Sequence, residues 1–333
     1  MPPGAAGGRH TEPLDPEIAT QLAALPPGTF DFDEWTLETI AARRAARAAV
    51  PVPEPPPTTT VFRDEHVDAS VQVRVYAPPD PGVIRPCLYW IHGGGYISGS
   101  ALTVDPRLNL WAETLDCVVV AVEYRLAPEH PYPVPLEDCY AGLSWIAAHA
   151  ERLGIDPDRV AVAGASAGAG LAAGLALLAR DRGGPRLVHQ VLVYPMLDDR
   201  QITRSSQLDD AAVWGKSANA LGWRAYLGPG AGGPDVPAYA APARATGLAG
   251  LPPAFVAVGG ADLFRDESIA YASGLTEAGV PTELHLYPGA PHGFELIIPS
   301  AEVSRRCSAE ITAVLRRSLY PSAETTPALP PSN

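Results

Sequence analysis

The 333-residue sequence predicts an α/β protein whose central, mostly parallel sheet is flanked by helices. Three observations carry this reading. Short, continuously apolar runs recur at Cys87 to Ile91, Cys117 to Val122, Val160 to Ala163, Val191 to Tyr194 and Phe255 to Val258, as strands buried on both faces require. Between them lie stretches with helical spacing: Ala101 to Thr114, Leu136 to Leu153, Ala167 to Arg180 closed by Gly183-Gly184, Asp266 to Ala278 and Ala301 to Leu319. The rhythm breaks once, from Leu197 to about Gly250, where no strand pattern occurs and the aromatic residues Trp214, Trp223 and Tyr226 cluster between Gly/Pro-rich loops.

Taken in order, residues 1–57 read as a Gly/Pro/Ala-rich lead that lacks a core-forming composition, two helices and a stiff proline spacer (Pro51 to Pro57). The helices span Pro16 to Leu25 and Trp35 to Val50, with Asp33 or Thr36 as caps for the second, and Arg43, Arg44 and Arg47 on a solvated face. Thr58 to Arg63 and Val71 to Tyr76 are β-branched and alternating, as an antiparallel pair would be. Residues 58–196 and 251–320 then form the α/β core. Residues 197–250 leave the core at a strand's C-terminal end and are expected, with the N-terminal helices, to cover the site as a cap. Thr282 to Tyr287 alternates like an exposed edge strand, and 321–333 is a disordered tail.

Composition narrows the function classes. A formal net charge of −13 argues against nucleic acid or an anionic membrane surface as partner, because phosphate binding needs clustered Lys and Arg. Cys87, Cys117, Cys139 and Cys307 lie far apart without Cys-x-x-Cys spacing, which points to free buried thiols in a reducing compartment and gives no metal site. Met1-Pro2-Pro3-Gly4 has neither the basic start nor the apolar core of a signal peptide, and no apolar run reaches the length of a membrane span. A soluble cytoplasmic protein is the expectation.

The chemistry begins at Gly164-Ala165-Ser166-Ala167-Gly168, where a buried strand turns directly into a helix. Such a turn lifts the Ser166 hydroxyl clear of the sheet at a helix N-terminus, and Gly164 and Gly168 are small because strand and helix pass close together there. His92-Gly93-Gly94-Gly95 follows another buried strand; consecutive glycines leave the Gly93 and Gly94 N–H groups, with that of Ala167, free to hold an oxyanion. Acyl transfer needs a base and its orienter in the chain order Ser, Asp, His. His292 alone among the eight histidines follows the last strand in a loop, and Asp262 ends the preceding strand, with Asp198 and Asp199 as rivals. Asp266 and Glu267 read as helix-start residues that complement the dipole. Tyr96, Trp214, Trp223 and Phe294 are candidates for the substrate pocket.

With these parts assembled, the chain resembles a bacterial member of the hormone-sensitive-lipase family of α/β-hydrolases. His92 to Gly95, Gly164 to Gly168, Asp262 to Glu267 and Tyr124-Arg125-Leu126-Ala127-Pro128-Glu129-His130-Pro131-Tyr132-Pro133 are close to that family's motifs. Ala165 departs from the family's usual Asp or Thr, and Leu263-Phe264 from its Pro-Leu. The Arg125 and Glu129 side chains are placed to pair across a proline-bounded turn. The resemblance implies an α/β-hydrolase fold, a serine carboxylesterase acting on short- to medium-chain esters without a cofactor, and dimerisation through the edge near Thr282 to Tyr287. A non-catalytic ligand-binding protein on the same scaffold is the alternative, and three intact triad residues argue for the enzyme.

Overall fold

A computed structural model describes residues 12–49, 57–80, 82–208 and 212–321. Residues 1–11 of the expected disordered lead, most of the proline spacer and residues 322–333 of the expected disordered tail lie outside these residues. Asp15, expected within the disordered lead, instead donates its N–H to Gly289 O at 2.9 Å and caps the first helix. The strands are β1 Val61–His66, β2 Gln72–Ala77, β3 Arg85–Ile91, β4 Val118–Glu123, β5 Ile155–Ala165, β6 His189–Val193, β7 Ala254–Gly259 and β8 Thr282–Tyr287. They form one sheet in the order β1, β2, β4, β3, β5, β6, β7, β8. The pairs β1/β2 and β2/β4 are antiparallel, and all pairs from β4 to β8 are parallel.

The helices are α1 Pro16–Ala23, α2 Ile40–Ala48, α3 Asp105–Thr114, α4 Val134–Ala148, α5 Ala150–Leu153, α6 Ala167–Arg182, α7 Lys216–Leu227, α8 Arg265–Glu277, α9 Phe294–Ile297 and α10 Glu302–Leu319. The apolar strand runs conceal a period of two. Cys87, Tyr89 and Ile91 of β3 pack into one hydrophobic cluster with α4, α6 and α8, whereas Leu88 and Trp90 pack into a second cluster with α3 and α10. Burial on both faces is therefore why these strands read as continuous rather than alternating. No helix among the described residues is long and apolar enough to cross a membrane.

Three local expectations change. The helix expected from Trp35 starts only at Ile40, because Trp35 has extended backbone (φ −75°, ψ 150°) and Thr36 to Thr39 form a turn. Asp33 does not cap that helix; its Oδ1 accepts the Ala218 N–H at 2.8 Å in the first turn of α7, 185 residues away. A Cβ on Gly215, just before α7, would lie 2.4 Å from the Asp33 carboxylate, so the small residue there makes room for the cap.

Arg44 is not on a solvated face: it donates to the carbonyls of Ile97 (2.8 Å) and Ala127 (2.7 Å) and pairs with Glu129 (3.0 Å). Arg125 instead grips Asp138 of α4 with Nε (2.9 Å) and Nη2 (2.6 Å). The expected Arg125 to Glu129 pair is thus replaced by two pairs to different helices, each stiffening the loop that runs beside His92 to Gly95.

The 197–250 segment holds no strand among its described residues; it consists of α7, short 3-10 turns and loops. Its Trp214 ring lies 5.1 Å from that of Phe32, so the N-terminal segment and this insertion pack together.

Candidate active site

Ser166 terminates β5 and opens α6 with φ 58° and ψ −124°, a conformation a non-glycine residue avoids unless its surroundings enforce it. The enforcement is visible. Ser166 N–H donates to Val193 O on β6 (2.9 Å), and Ser166 O accepts from Ala169 and Gly170 (both 3.0 Å). A Cβ on Gly164 would sit 2.4 Å from Gly168 O, and one on Gly168 would sit 2.2 Å from Ile91 O. Strand, turn and helix approach at backbone contact, which only glycine permits.

The turn delivers Ser166 Oγ to 2.9 Å from His292 Nε2, and His292 Nδ1 lies 2.8 Å from Asp262 Oδ2. A carboxylate accepts, so Nδ1 carries the proton and Nε2 is left to accept from the serine hydroxyl. Asp262 is fully buried, and its other oxygen accepts the Phe264 N–H at 2.9 Å. The rivals are engaged elsewhere: Asp198 pairs with Arg200 (2.7 Å) and Asp199 with Arg244 (2.6 Å).

The glycine loop runs alongside. Gly94 and Gly95 have φ 120° and 62°, and neither the Gly93 nor the Gly94 N–H donates to another described residue. Buried His92 anchors the loop: its Nδ1 contacts Gly93 O at 2.8 Å, its ring stacks on Tyr124 (centroids 4.2 Å apart), and the Tyr124 hydroxyl donates to His92 O at 2.9 Å. Burial lowers the His92 pKa to about 4, against the opposing effect of the Gly93 carbonyl. Glu123 Oε2 lies 3.9 Å from His92 Nε2, and burial raises the Glu123 pKa to about 7, although the Ala101 N–H donates to its Oε1 at 2.6 Å.

Of the pocket candidates, three converge and one does not. Tyr96 stacks on Tyr226 (4.1 Å) and lies 5.3 Å from Trp223, while Trp214 presses on Gly95 so closely that a Cβ there would be 2.3 Å from the indole. Phe294 belongs to the other hydrophobic cluster, its ring 5.5 Å from that of Tyr287, because Gly293 (φ 69°) turns the chain back toward the core. Glu267 also differs from expectation. It stands in the first turn of α8, yet its side chain is buried and accepts the N–H groups of Leu197 (2.7 Å) and Asp198 (3.2 Å). Burial pushes its pKa well up, so it ties the root of the insertion to the helix that follows Asp262.

Sequence reasoning missed a further group beside His292. The Tyr194 ring meets the imidazole edge-on at 4.6 Å, and Phe264 does so at 5.1 Å. The one signal for it is an acidic residue, Glu295, three positions after His292 in an otherwise apolar stretch.

Comparison with known proteins agrees with this fold. A family model described as the alpha/beta hydrolase fold matches residues 88–296. Esterase LipI of Mycobacterium tuberculosis is 42% identical over 230 residues, which cover 67% of this chain and 71% of that protein. Carboxylesterase NlhH of the same organism is 40% identical over 258 residues, 75% of this chain and 79% of its own. Among solved structures, a bacterial heroin esterase superposes with a TM-score of 0.82 at 43% identity, covering 92% of this chain and 98% of its own.

Proposed function

The chain belongs to the hormone-sensitive-lipase-like family of α/β-hydrolases and is a carboxylesterase, and from that premise we propose that Ser166, His292 and Asp262 are its catalytic triad. One observation carries the reading: two hydrogen bonds of 2.9 and 2.8 Å link the serine hydroxyl, through the imidazole, to a fully buried carboxylate.

Ser166 Oγ attacks the ester carbonyl carbon while His292 Nε2 takes its proton. The tetrahedral oxyanion is held by the N–H groups of Gly93, Gly94 and Ala167. Asp262 fixes the imidazole tautomer and stabilises the imidazolium. Collapse breaks the bond to the alcohol oxygen, which leaves with the proton from His292, and the acyl group stays on Ser166. Water then enters, His292 removes its proton, and the carboxylic acid departs. The ester and one water balance these steps.

Short- to medium-chain acyl esters are the proposed substrates, a preference supported by the bulky, buried Tyr96, Trp214 and Trp223 behind the glycine loop. The insertion and the N-terminal helices act together as the cap, which the Asp33 to Ala218 bond and the Phe32 to Trp214 contact support. A homodimer paired along the edge strand β8 would cover exposed Leu284 and Leu286; light scattering that finds only monomer at high concentration excludes it. The four buried free cysteines support a reducing, cytoplasmic setting.

The test is hydrolysis of p-nitrophenyl esters from acetate to palmitate by the native protein and by Ser166→Ala and His292→Ala. Turnover that peaks at short chains and vanishes in both variants is the expected result. Full activity of Ser166→Ala removes the triad, and a folded native protein inert toward every ester returns the weight to a binding role.

A further inference from the structure

The end of β6 contains a second backbone outlier. Tyr194 has φ +37°, a region that bulky L-residues rarely occupy, and its N–H donates to Ala257 O on β7. Such an outlier persists only when its neighbours over-determine it, and the neighbours here are specific. The Tyr194 hydroxyl donates to Glu295 Oε1 at 2.9 Å. Arg107 of α3 donates to the same oxygen at 3.0 Å and reaches the Glu295 backbone carbonyl at 3.4 Å. Glu295 is fully buried, and its other carboxyl oxygen has no partner among the described residues. Burial keeps the Tyr194 hydroxyl protonated, since its pKa is pushed well up.

What this arrangement does follows from where its parts come from. Arg107 lies on the helix after the glycine loop, Tyr194 closes the strand beside the nucleophile turn, and Glu295 follows His292 by three residues in the short helix α9. One carboxyl group therefore ties together three segments that leave the sheet at different strands. The tyrosine so held lays its ring edge-on against His292, which also meets Phe264 in a similar contact. A histidine on a loop has freedom to swing away from its serine; two aromatic rings, one of them anchored, remove that freedom.

We propose that Tyr194, held by Glu295 and Arg107, is a positioning residue that fixes the His292 imidazole between Asp262 and Ser166. The proposal rests on His292 being the catalytic base. Tyr194 acts through the imidazole, and the strained backbone at its position is the cost of presenting its ring there.

The experiment compares Tyr194→Leu and Tyr194→Phe with the native enzyme and with His292→Ala, using a short-chain p-nitrophenyl ester and the proton resonance of the imidazole Nδ1–H bonded to Asp262. Removing the ring should lower kcat by up to about 100-fold, the scale of a 1 Å misplacement of a catalytic group. KM should be unchanged, and the hydrogen-bonded proton signal should shift or broaden. Tyr194→Phe keeps the ring without its anchor and should lose about tenfold, an intermediate effect. A residue that merely supports the fold would lower the melting temperature and leave kcat, KM and the proton signal of the folded protein alone. That outcome, or native kcat in Tyr194→Phe, overturns the proposal, and Tyr194→Phe decides the matter if Tyr194→Leu does not fold. Activity retained by His292→Ala would instead remove the base assignment itself, so the two failures are told apart.

Discussion

Gly93 lies against the nucleophile turn so closely that a Cβ on it would stand 2.7 Å from Ala165 O and 3.2 Å from Ser166 Cβ. The loop proposed to donate N–H groups and the turn that presents the serine are thus in backbone contact. Gly93→Ala must push the two apart. Loss of one such donor costs about 10²–10³ in kcat, and a fall of that size with the folded signal retained is the expected result. Steady-state kinetics with circular dichroism checks it, and a fully active Gly93→Ala would mean the N–H of Gly93 is not used.

Asp262→Asn leaves the shape of the site intact but puts a donor where His292 Nδ1–H now meets an acceptor. The imidazole then favours the wrong tautomer, with Nε2 protonated and unable to take the serine proton. A fall in kcat on the order of 10⁴-fold, with little change in melting temperature, is expected. Asn at position 198 or 199 should do far less, since Asp198 and Asp199 are committed to Arg200 and Arg244.

Glu123 and His92 give stability opposing pH dependences. In the folded protein Glu123 titrates near 7 instead of 4.5, so its contribution is lost as pH rises from about 4.5 toward 7. His92 titrates near 4 instead of 6.5, so the fold is weakened as pH falls from about 6.5 toward 4. Between those limits the two effects oppose each other, so the net slope is shallower than His92 alone would give. Glu123→Gln removes one side of the balance. The variant should lose up to about 3 kcal/mol of stability between pH 6.5 and pH 4 through His92 alone. Urea unfolding at a series of pH values measures this, and equal slopes for variant and native protein would count against the pairing. The opposing loss in a His92→Gln variant on raising the pH should be smaller, because the Glu123 side chain is 36% exposed.

Asp33→Ala uncaps α7 and should cost about 1 kcal/mol, the usual value of a helix cap. Asp33→Asn keeps an acceptor and should stay near the native value. Because α7 carries Trp223 and Tyr226, which pack on Tyr96, Asp33→Ala should also raise KM for the preferred ester more than it lowers kcat. Kinetics of the two variants side by side make the comparison.

What could be read without coordinates was whatever the backbone itself demands. Gly164 and Gly168 announced a turn because no side chain fits between β5, α6 and the end of β3. The apolar runs announced a two-sided sheet because both faces of β3 to β7 are covered. The three residues singled out by chain order, Ser166, Asp262 and His292, are the three that the fold brings within hydrogen-bond reach. Partnerships fixed only by how helices meet in space were not legible. Arg125 had Glu129 within four residues and chose Asp138, because α4 passes beneath it. Asp33 sits next to a plausible local helix and caps a remote one. Phe294 stands two residues after the histidine, and the single left-handed glycine between them sends it into the opposite cluster. Glu295 is the clearest case: a carboxyl group with no exposure signals a built role, and exposure is a property that no residue string states.

The bond between Asp33 and Ala218 also sets an order of events during synthesis. The acceptor leaves the ribosome 185 residues ahead of its donor, an interval of about 10–40 s at ordinary elongation rates. Throughout that time Phe32 has no Trp214 to pack against and the Asp33 carboxylate has no helix to cap. These two contacts therefore stay open until α7 emerges, even though Arg44 of the same segment can already meet Ile97, Ala127 and Glu129. Slow elongation across 197–218 would lengthen this open phase and the exposure of its aromatic residues to other chains. Rapid elongation through the same interval would shorten it.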